Sequence, residues 1–363
     1  MKKTGFGFLA VVLALGLTFG GCSQKRSGDS GVRNIIDMSG QTIAVPKVVN
    51  KVHTDWISGS MLVMTLGATD KLTCVSPFLD GDSFAWARLI IPEIEDAQKS
   101  MLANVQGDAI NVEGVLALMP DLVITDRLSR VEIYENAGLP VLLVNLDNYD
   151  NFKKAMLIIG EALGEFEFAK ANAYNDYINR NIEMVTERLK DLEETDKQSI
   201  YYMYSTNSGP NWATVGRGEI QERWIKMAGG IFATEDLDGR VEEGISTEYI
   251  LDKDPDIIII GNTDQAAVYN QLTTMVEFSG LKAVKNNSIV RNPFGILSWC
   301  RTGPEYAMQM VWAAKLLHPA LFTDIDIEEM AKDFYLEFYS MKMSDENIVK
   351  ILQGESPPTR IGR

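Results

Sequence analysis

Two glutamates, Glu113 and Glu248, sit in nearly the same stretch of sequence. "VEGVLALMPDLVI" runs over 112–124 and "TEYILDKDPDIII" over 247–259; each reads Glu, any residue, an aliphatic, Leu, three residues, Pro-Asp and three aliphatics. Paired carboxylates can divide acid and base work between them, or they can meet cationic groups on a partner. The rest of the chain gives little support to catalysis. It has no nucleophile-elbow serine, no Gly-rich phosphate loop and no Cys-Xaa-Xaa-Cys pair. The 2 histidines, His53 and His318, are too few for the multi-histidine sites that hold bare zinc or manganese. The stronger chemical signal is a set of tryptophans and arginines. Aromatic faces cover apolar area and guanidinium forks pair with carboxylates or catecholates, so together they suit a large, partly aromatic, anionic ligand.

The repeat must be carried by equivalent elements. In each copy a helix begins at an N-cap residue, Asn111 or Ser246, and an acid in its first turn complements the helix dipole. The helix ends ahead of the proline, Pro-Asp turns the chain, and the aliphatic run enters a sheet buried on both faces. Around both copies short aliphatic runs alternate with helical stretches. The pattern predicts an α/β fold of two Rossmann-like lobes with mainly parallel sheets, over 34–149 and 195–322. Between them, 150–194 has no strand signal and its apolar residues recur at helical spacing. Gly164 divides a first helix from a long one over about Glu165 to Leu192, on the order of 40 Å at 1.5 Å per residue. The lobes are thus joined by one long backbone helix, and 323–363 forms a helical tail.

Of the 363 residues 23% are charged and 46% hydrophobic, and the formal charge is −16. That balance is globular and argues against nucleic acid or an anionic membrane surface as partners. The first 21 residues read as a secretory signal: Lys2 and Lys3, then an apolar stretch ending in small residues before Cys22. "LTFGGC" resembles a bacterial lipobox, which implies lipidation at Cys22, and the polar residues 22–33 suit a flexible tether. Cys74 and Cys300 lie in apolar surroundings in different halves and read as buried free thiols.

Several further segments fall in a known order. "DMSGQTIAVPKVVNKV" looks like an opening hairpin, "VEGVLALMPDLVIT" with "GLPVLLV" a lobe-one signature, and "WIKMAGGIFA" with "ISTEYILDKDPDIIII" its lobe-two counterpart. "LKAVKNNSIV" and "WAAKLLHPALF" close the second lobe. From about Ile36 to Phe322 the chain resembles the solute-binding proteins of ABC importers for ferric siderophores, haem and cobalamin. The resemblance implies a non-enzymatic, monomeric carrier with a ligand cleft between its two lobes, exported and lipid-anchored to the cell membrane, without a resident cofactor. It also implies that Glu113 and Glu248 dock on arginines of a membrane permease dimer served by a cytoplasmic ATPase.

Ligands of open parallel sheets sit beyond the carboxyl ends of the strands. That rule selects Trp56 and Ser58 after the first strand and Arg127 after the third. In lobe two it selects Tyr204, Asn262, Trp299 and Arg301. The loop "GDSFAWARL" adds Phe84, Trp86 and Arg88, "GPNW" adds Trp212, and Arg240 lies just before the lobe-two repeat. The expected solute is a metal chelate, a ferric siderophore first. Haem, a corrinoid or a tetrahedral oxyanion such as molybdate or tungstate are alternatives, and a lipid-anchored hydrolase or adhesin stands outside the class.

Overall fold

A computed structural model describes residues 31–107, 109–204, 212–261 and 265–357; the signal sequence and Cys22 lie outside them. The chain opens with an antiparallel hairpin, β1 (Val32–Ile36) and β2 (Thr42–Pro46). Lobe one is built on a parallel sheet of β3 (Val52–Thr54), β4 (Leu122–Thr125) and β5 (Val141–Leu143) in that order. Every residue of β3 and β4 is buried, as apolar strands covered on both faces must be. The apolar run "KLTCVS" makes only isolated bridges, Leu72 to Val52 and Val75 to Lys99. It is cut short because Ser76 caps a 3-10 turn, its Oγ accepting from Phe78 N at 3.2 Å.

Lobe two carries β6 (Ser199–Tyr204), β7 (Trp212–Val215), β8 (Ile231–Phe232), β9 (Arg240–Ile245), β10 (Ile257–Gly261) and β11 (Ile289–Arg291). The path is β11-β10-β6-β7-β9, with β8 beside β6. β11, β10 and β6 are parallel, whereas β7 runs antiparallel to both β6 and β9. The sheet is therefore mixed, and the loop expected around Trp212 gives way there to a buried strand.

The repeat is structural as well as textual. Helices Val112–Leu118 and Thr247–Lys253 are capped by Asn111 Oδ1, accepting from Gly114 N, and by Ser246 Oγ, accepting from Tyr249 N. Both end on a left-handed residue, Met119 (φ 52°) and Asp254 (φ 36°), immediately before the proline. The following aspartates then fasten the turn to the start of the neighbouring strand. Asp121 Oδ2 accepts from Asn50 N and Lys51 N at 2.8 and 2.9 Å, and Asp256 Oδ2 accepts from Ser199 N at 2.9 Å. Charge-assisted carboxylate-to-backbone bonds of this kind fix where the neighbouring strands begin.

The connection contains helices Tyr149–Leu163 and Glu165–Leu189. Gly164 between them has φ 152°, and a Cβ there would lie 2.7 Å from Glu167 Oε2. The second helix, 25 residues, is about 37 Å long at 1.5 Å per residue. It bonds lobe two directly: Asn181 Nδ2 donates to Ala307 O at 2.8 Å, and Tyr174 OH donates to Pro304 O. Tyr149 stacks on Tyr306 with ring centroids 4.0 Å apart.

The tail, helices Ile327–Tyr339 and Asp345–Leu352, returns across the molecule and touches both lobes. Phe334 and Phe338 pack on Tyr174 and Tyr177 of the long helix. Tyr339 OH meets Thr65 Oγ1 of lobe one at 2.8 Å, and Trp86 Nε1 donates to Glu355 O at 2.6 Å. On the lobe-two side Glu355 pairs with Arg291 at 2.9 Å and Phe294 N donates to Ile351 O. Tyr335 OH donates to Glu305 Oε1 at 3.0 Å.

Glu305 is fully buried, and burial pushes its carboxyl up to about 7 against the opposing bonds from Ile296 N and Tyr335 OH. An ordinary glutamate ionises near 4.5, so the folded state holds this proton longer than the unfolded one. The stabilisation is complete below pH 4.5 and is lost as pH rises through 7. Glu305→Gln should therefore flatten the fall in urea midpoint across that window, and an unchanged slope would rule the shifted carboxyl out. Phe338→Ala should cost about 3–5 kcal/mol, read by urea denaturation, because it opens the seam between tail and long helix.

Candidate ligand-binding cleft

A cleft of about 590 Å³ lies between the lobes, at the carboxyl ends of the parallel strands. From lobe one, Trp56 and Ser58 follow β3, Asp126, Arg127 and Arg130 follow β4, and Asn145 and Asp147 follow β5. From lobe two come Tyr204 at the end of β6, Glu219 and Gln221 at the start of helix Ile220–Met227, Arg240 at the start of β9, and Arg301. Six of the residues selected from sequence thus meet in one place: Trp56, Ser58, Arg127, Tyr204, Arg240 and Arg301.

Trp56 is half-buried and its ring lies flat over the first turn of helix Ile57–Thr65. A Cβ on Gly59 would fall 2.5 Å from that ring, so only glycine admits this orientation. The Arg240 guanidinium sits 5.2 Å from the Tyr204 ring centroid, a cation–π contact on the lobe-two wall.

The residue sequence reasoning missed is Arg130, the third residue of helix Leu128–Asn136 and only 1% exposed. Its Nη1 stands 3.0 Å from Asp55 Oδ1, while Nη2 donates to Val105 O at 3.2 Å and to Gly107 O. Asp55 is wholly buried and also accepts from Thr125 Oγ1 at 3.0 Å and from Tyr134 OH at 3.3 Å. Burial pushes the Asp55 carboxyl up, and Arg130 and Thr125 pull it back. The readable signal was the spacing "DRLSR", which puts Arg130 one helical turn beyond Arg127. Of the lining acids, Asp147 is spent on its own loop: it accepts from Asn145, Asn148 and Asn151 side-chain amides.

Other expected ligand residues lie elsewhere. Trp212 opens β7, between β6 and β9, 4% exposed and edge-on to Phe278 at 5.1 Å. Trp299 is 1% exposed within the main core. Trp86 is buried under the tail, whose Glu355 carbonyl takes its indole N–H. Phe84 packs on the same core, and Arg88 donates to Leu79 O and Gly81 O and faces Glu95 at 3.6 Å, holding its own loop together. The physical reason is common to them: a tail that returns over this loop, and a strand where a loop was expected, convert surface aromatics into core. Asn262 lies outside the described residues.

His53, the middle residue of β3, is buried, which pushes it down to about 4, and its Nδ1 meets Thr73 Oγ1 at 3.1 Å. His318 ends helix Tyr306–Leu317 and meets Gly229 O at 3.2 Å. Cys74 and Cys300 are free and buried. Among the described residues no three His, Cys, Asp or Glu side chains gather as a metal site.

The sequence profile of the periplasmic binding protein family matches residues 62–294. The chain belongs to that family. Among curated proteins it is 24% identical over 348 residues to the molybdate-binding protein MolA of Haemophilus influenzae, covering 88% of this chain and 94% of MolA. It is also 24% identical over 208 residues to the iron(3+)-hydroxamate-binding protein YxeB of Bacillus subtilis, covering 54% of this chain and 63% of YxeB. A periplasmic solute-binding protein from Veillonella parvula shares the fold with a TM-score of 0.76 at 23% identity, over 89% of this chain and 97% of that one. As a periplasmic binding protein the chain is the extracytoplasmic solute-binding component of an ABC importer rather than an enzyme.

Breaking the Asp55–Arg130 pair tests the cleft floor. Asp55→Asn alone leaves a buried guanidinium uncompensated and should cost about 3–5 kcal/mol. Asp55→Asn with Arg130→Gln should cost clearly less, and equal losses in urea denaturation would show that the two charges do not support each other.

Proposed function

We propose that this periplasmic binding protein carries an anionic metal chelate, a ferric siderophore in the first instance, to a membrane permease. The observation that carries the reading is the composition of the cleft: guanidinium groups from Arg127, Arg130, Arg240 and Arg301 face one space of about 590 Å³, with Trp56 and Tyr204 as its aromatic faces. A chelated ferric ion brings its own ligands and needs none from the protein. Its anionic donor oxygens and organic skeleton call for guanidinium forks and a few flat apolar surfaces. Haem and corrinoids are less well served, since Trp86, Trp212 and Trp299 are withdrawn into the core. A second reading, a tetrahedral oxyanion such as molybdate or tungstate, is supported by the likeness to MolA over most of both chains and by the arginine-rich, aromatic-poor lining.

Glu113 and Glu248 fit a role at the permease. Both are exposed, in the first turns of equivalent capped helices, and neither lines the cleft. A pair of equivalent acids on two similar lobes matches a twofold-symmetric partner. Export, with lipid on Cys22 as tether, and function as a monomer complete the reading.

Thermal melts of the purified protein with ferric siderophores, haem, cobalamins, molybdate and tungstate test the solute. A ligand at 100 times its dissociation constant adds about 2.7 kcal/mol, and an unmoved melt with every compound would overturn the carrier role. The double variant Glu113→Ala/Glu248→Ala should abolish uptake into cells while solute affinity stays intact. A fall in affinity instead would return these acids to the cleft and end the docking role.

A further inference from the structure

Near its end the tail ties the two lobes to each other through one short turn. Helix Asp345–Leu352 closes in a Schellman motif: Gly354 N donates to Ile351 O at 3.0 Å and Glu355 N to Lys350 O at 2.8 Å. Gly354 supplies the left-handed residue this motif needs, at φ 63°. A Cβ on it would overlap Gln265 Oε1 and stand 2.8 Å from Asn292 O, both of lobe two. The turn aims Glu355 at both lobes. Its carbonyl accepts the indole N–H of Trp86, from lobe one, at 2.6 Å, and its carboxylate meets Arg291, at the end of β11, at 2.9 Å. These bonds are unequal. Arg291 and Glu355 are partly exposed, so their ion pair sets position more than it stabilises. Trp86 is 2% exposed, and at that burial its N–H has no water to exchange for the carbonyl.

Sheet order gives the place of this tie. In lobe two the path has β11 at one edge and β9 at the other. In lobe one β5 is an edge, and on the far side of β3 the bridge of Leu72 to Val52 leads toward helix Ala85–Ile90, which carries Trp86. The solute cleft is lined from the ends of β3, β4, β5, β6 and β9. Trp86 and Arg291 instead border a separate cavity of about 440 Å³, with Ser83 on the lobe-one side, Phe294 on the lobe-two side and Glu355 closing it. The long helix, with the tail rings packed on it, is the first tie between the lobes. Glu355 is a second, at another place. Two bodies held at two separate places turn only about the line that joins them, which is the geometry of a hinge.

We infer that Gly354 and Glu355 form a clasp that keeps the lobes together at the β11 edge, so that the molecule opens at the opposite edge, between β5 and β9. There Asn145 and Arg240 line the cleft from the two lobes, and they are the residues whose separation changes most as the lobes part. The direction of opening does not depend on which solute is carried, because none of the clasp residues lines the solute cleft.

Distances between paired nitroxide labels, read by double electron–electron resonance, test the clasp without a ligand. The labels go on a Cys22→Ser chain, whose remaining thiols, Cys74 and Cys300, are buried. Ser83→Cys with Ala267→Cys spans the clasp edge. Glu132→Cys, on helix Leu128–Asn136, with Asp238→Cys, just ahead of β9, spans the other edge, and all of these positions are exposed. With the clasp intact, the pair beside it should give the narrower distance distribution. Trp86→Phe with Arg291→Gln removes both bonds of Glu355 while keeping a ring in the core, and it should widen that distribution about twofold. Gly354→Ala forces a methyl group against lobe two with Trp86 and Arg291 in place, and it should widen the same distribution. A cooperative urea transition identifies each variant as folded, so a wider distribution reports lobe motion and not unfolding. If the clasp edge of the intact protein is as broad as the opposite edge, or broader, the clasp is overturned. It is equally overturned if the clasp pair stays as narrow in both variants as in the intact protein. The carrier role survives either result, since it is tested by the melting panel alone.

Discussion

The angle between the lobes rests on one aromatic seam. Tyr174 and Tyr177 on the long helix meet Phe334 and Phe338 on the tail, while Tyr149 and Phe152 at the helix before it close on Tyr306 of lobe two. These rings bring together three parts of the chain that no sheet joins. Ring pairs at these separations add about 0.5–1.5 kcal/mol each beyond the area they bury, and their flat faces leave few alternative packings. The cleft exists because this seam holds two separately built sheets with their carboxyl ends facing one another. Its polar partners, Tyr335 on Glu305 and Asn181 on Ala307 O, fix the register that ring packing alone would leave loose.

How much of this could be read from sequence depends on which physical signal each element wrote. The parallel strands were legible because burial on both faces demands runs such as Ile257–Ile260. The long helix was legible from its spacing and from Gly164, where the chain needs a residue free of a Cβ. The twin turns were legible because Pro-Asp constrains both the preceding helix and the following strand. What escaped was non-local. "WATV" is too short to announce a strand, and it becomes one only because β6 and β9 flank it. Trp86 looks like a loop aromatic until a tail some 270 residues later covers it, its indole bonded to Glu355. Arg130 looks like one more surface charge on a helix until Asp55, on another strand end, is seen beneath it.

The cleft separates two tasks that sequence alone tends to merge. Residues that hold charge in place, Asp55, Thr125 and Tyr134, stand behind the wall and never reach the solvent. Residues that can meet a solute stand in front of them, on strand ends and first helical turns. Two carboxylates beside this space are occupied, Asp55 by Arg130 and Asp147 by three asparagine amides. Guanidinium groups thereby keep their influence over the space between the lobes despite a strongly acidic chain.

The placement of Trp56 has an optical consequence. Of the chain's 6 tryptophans, Trp86, Trp212, Trp224, Trp299 and Trp312 are at most 9% exposed. Trp56 alone is half-open, and it forms part of the cleft wall. The other five indoles supply a steady background emission in apolar surroundings. Any change in intensity or wavelength on filling the cleft must come chiefly from one ring lying over Gly59. The protein thus contains its own single-site fluorophore, and occupancy of the cleft can be followed by light without attaching a dye.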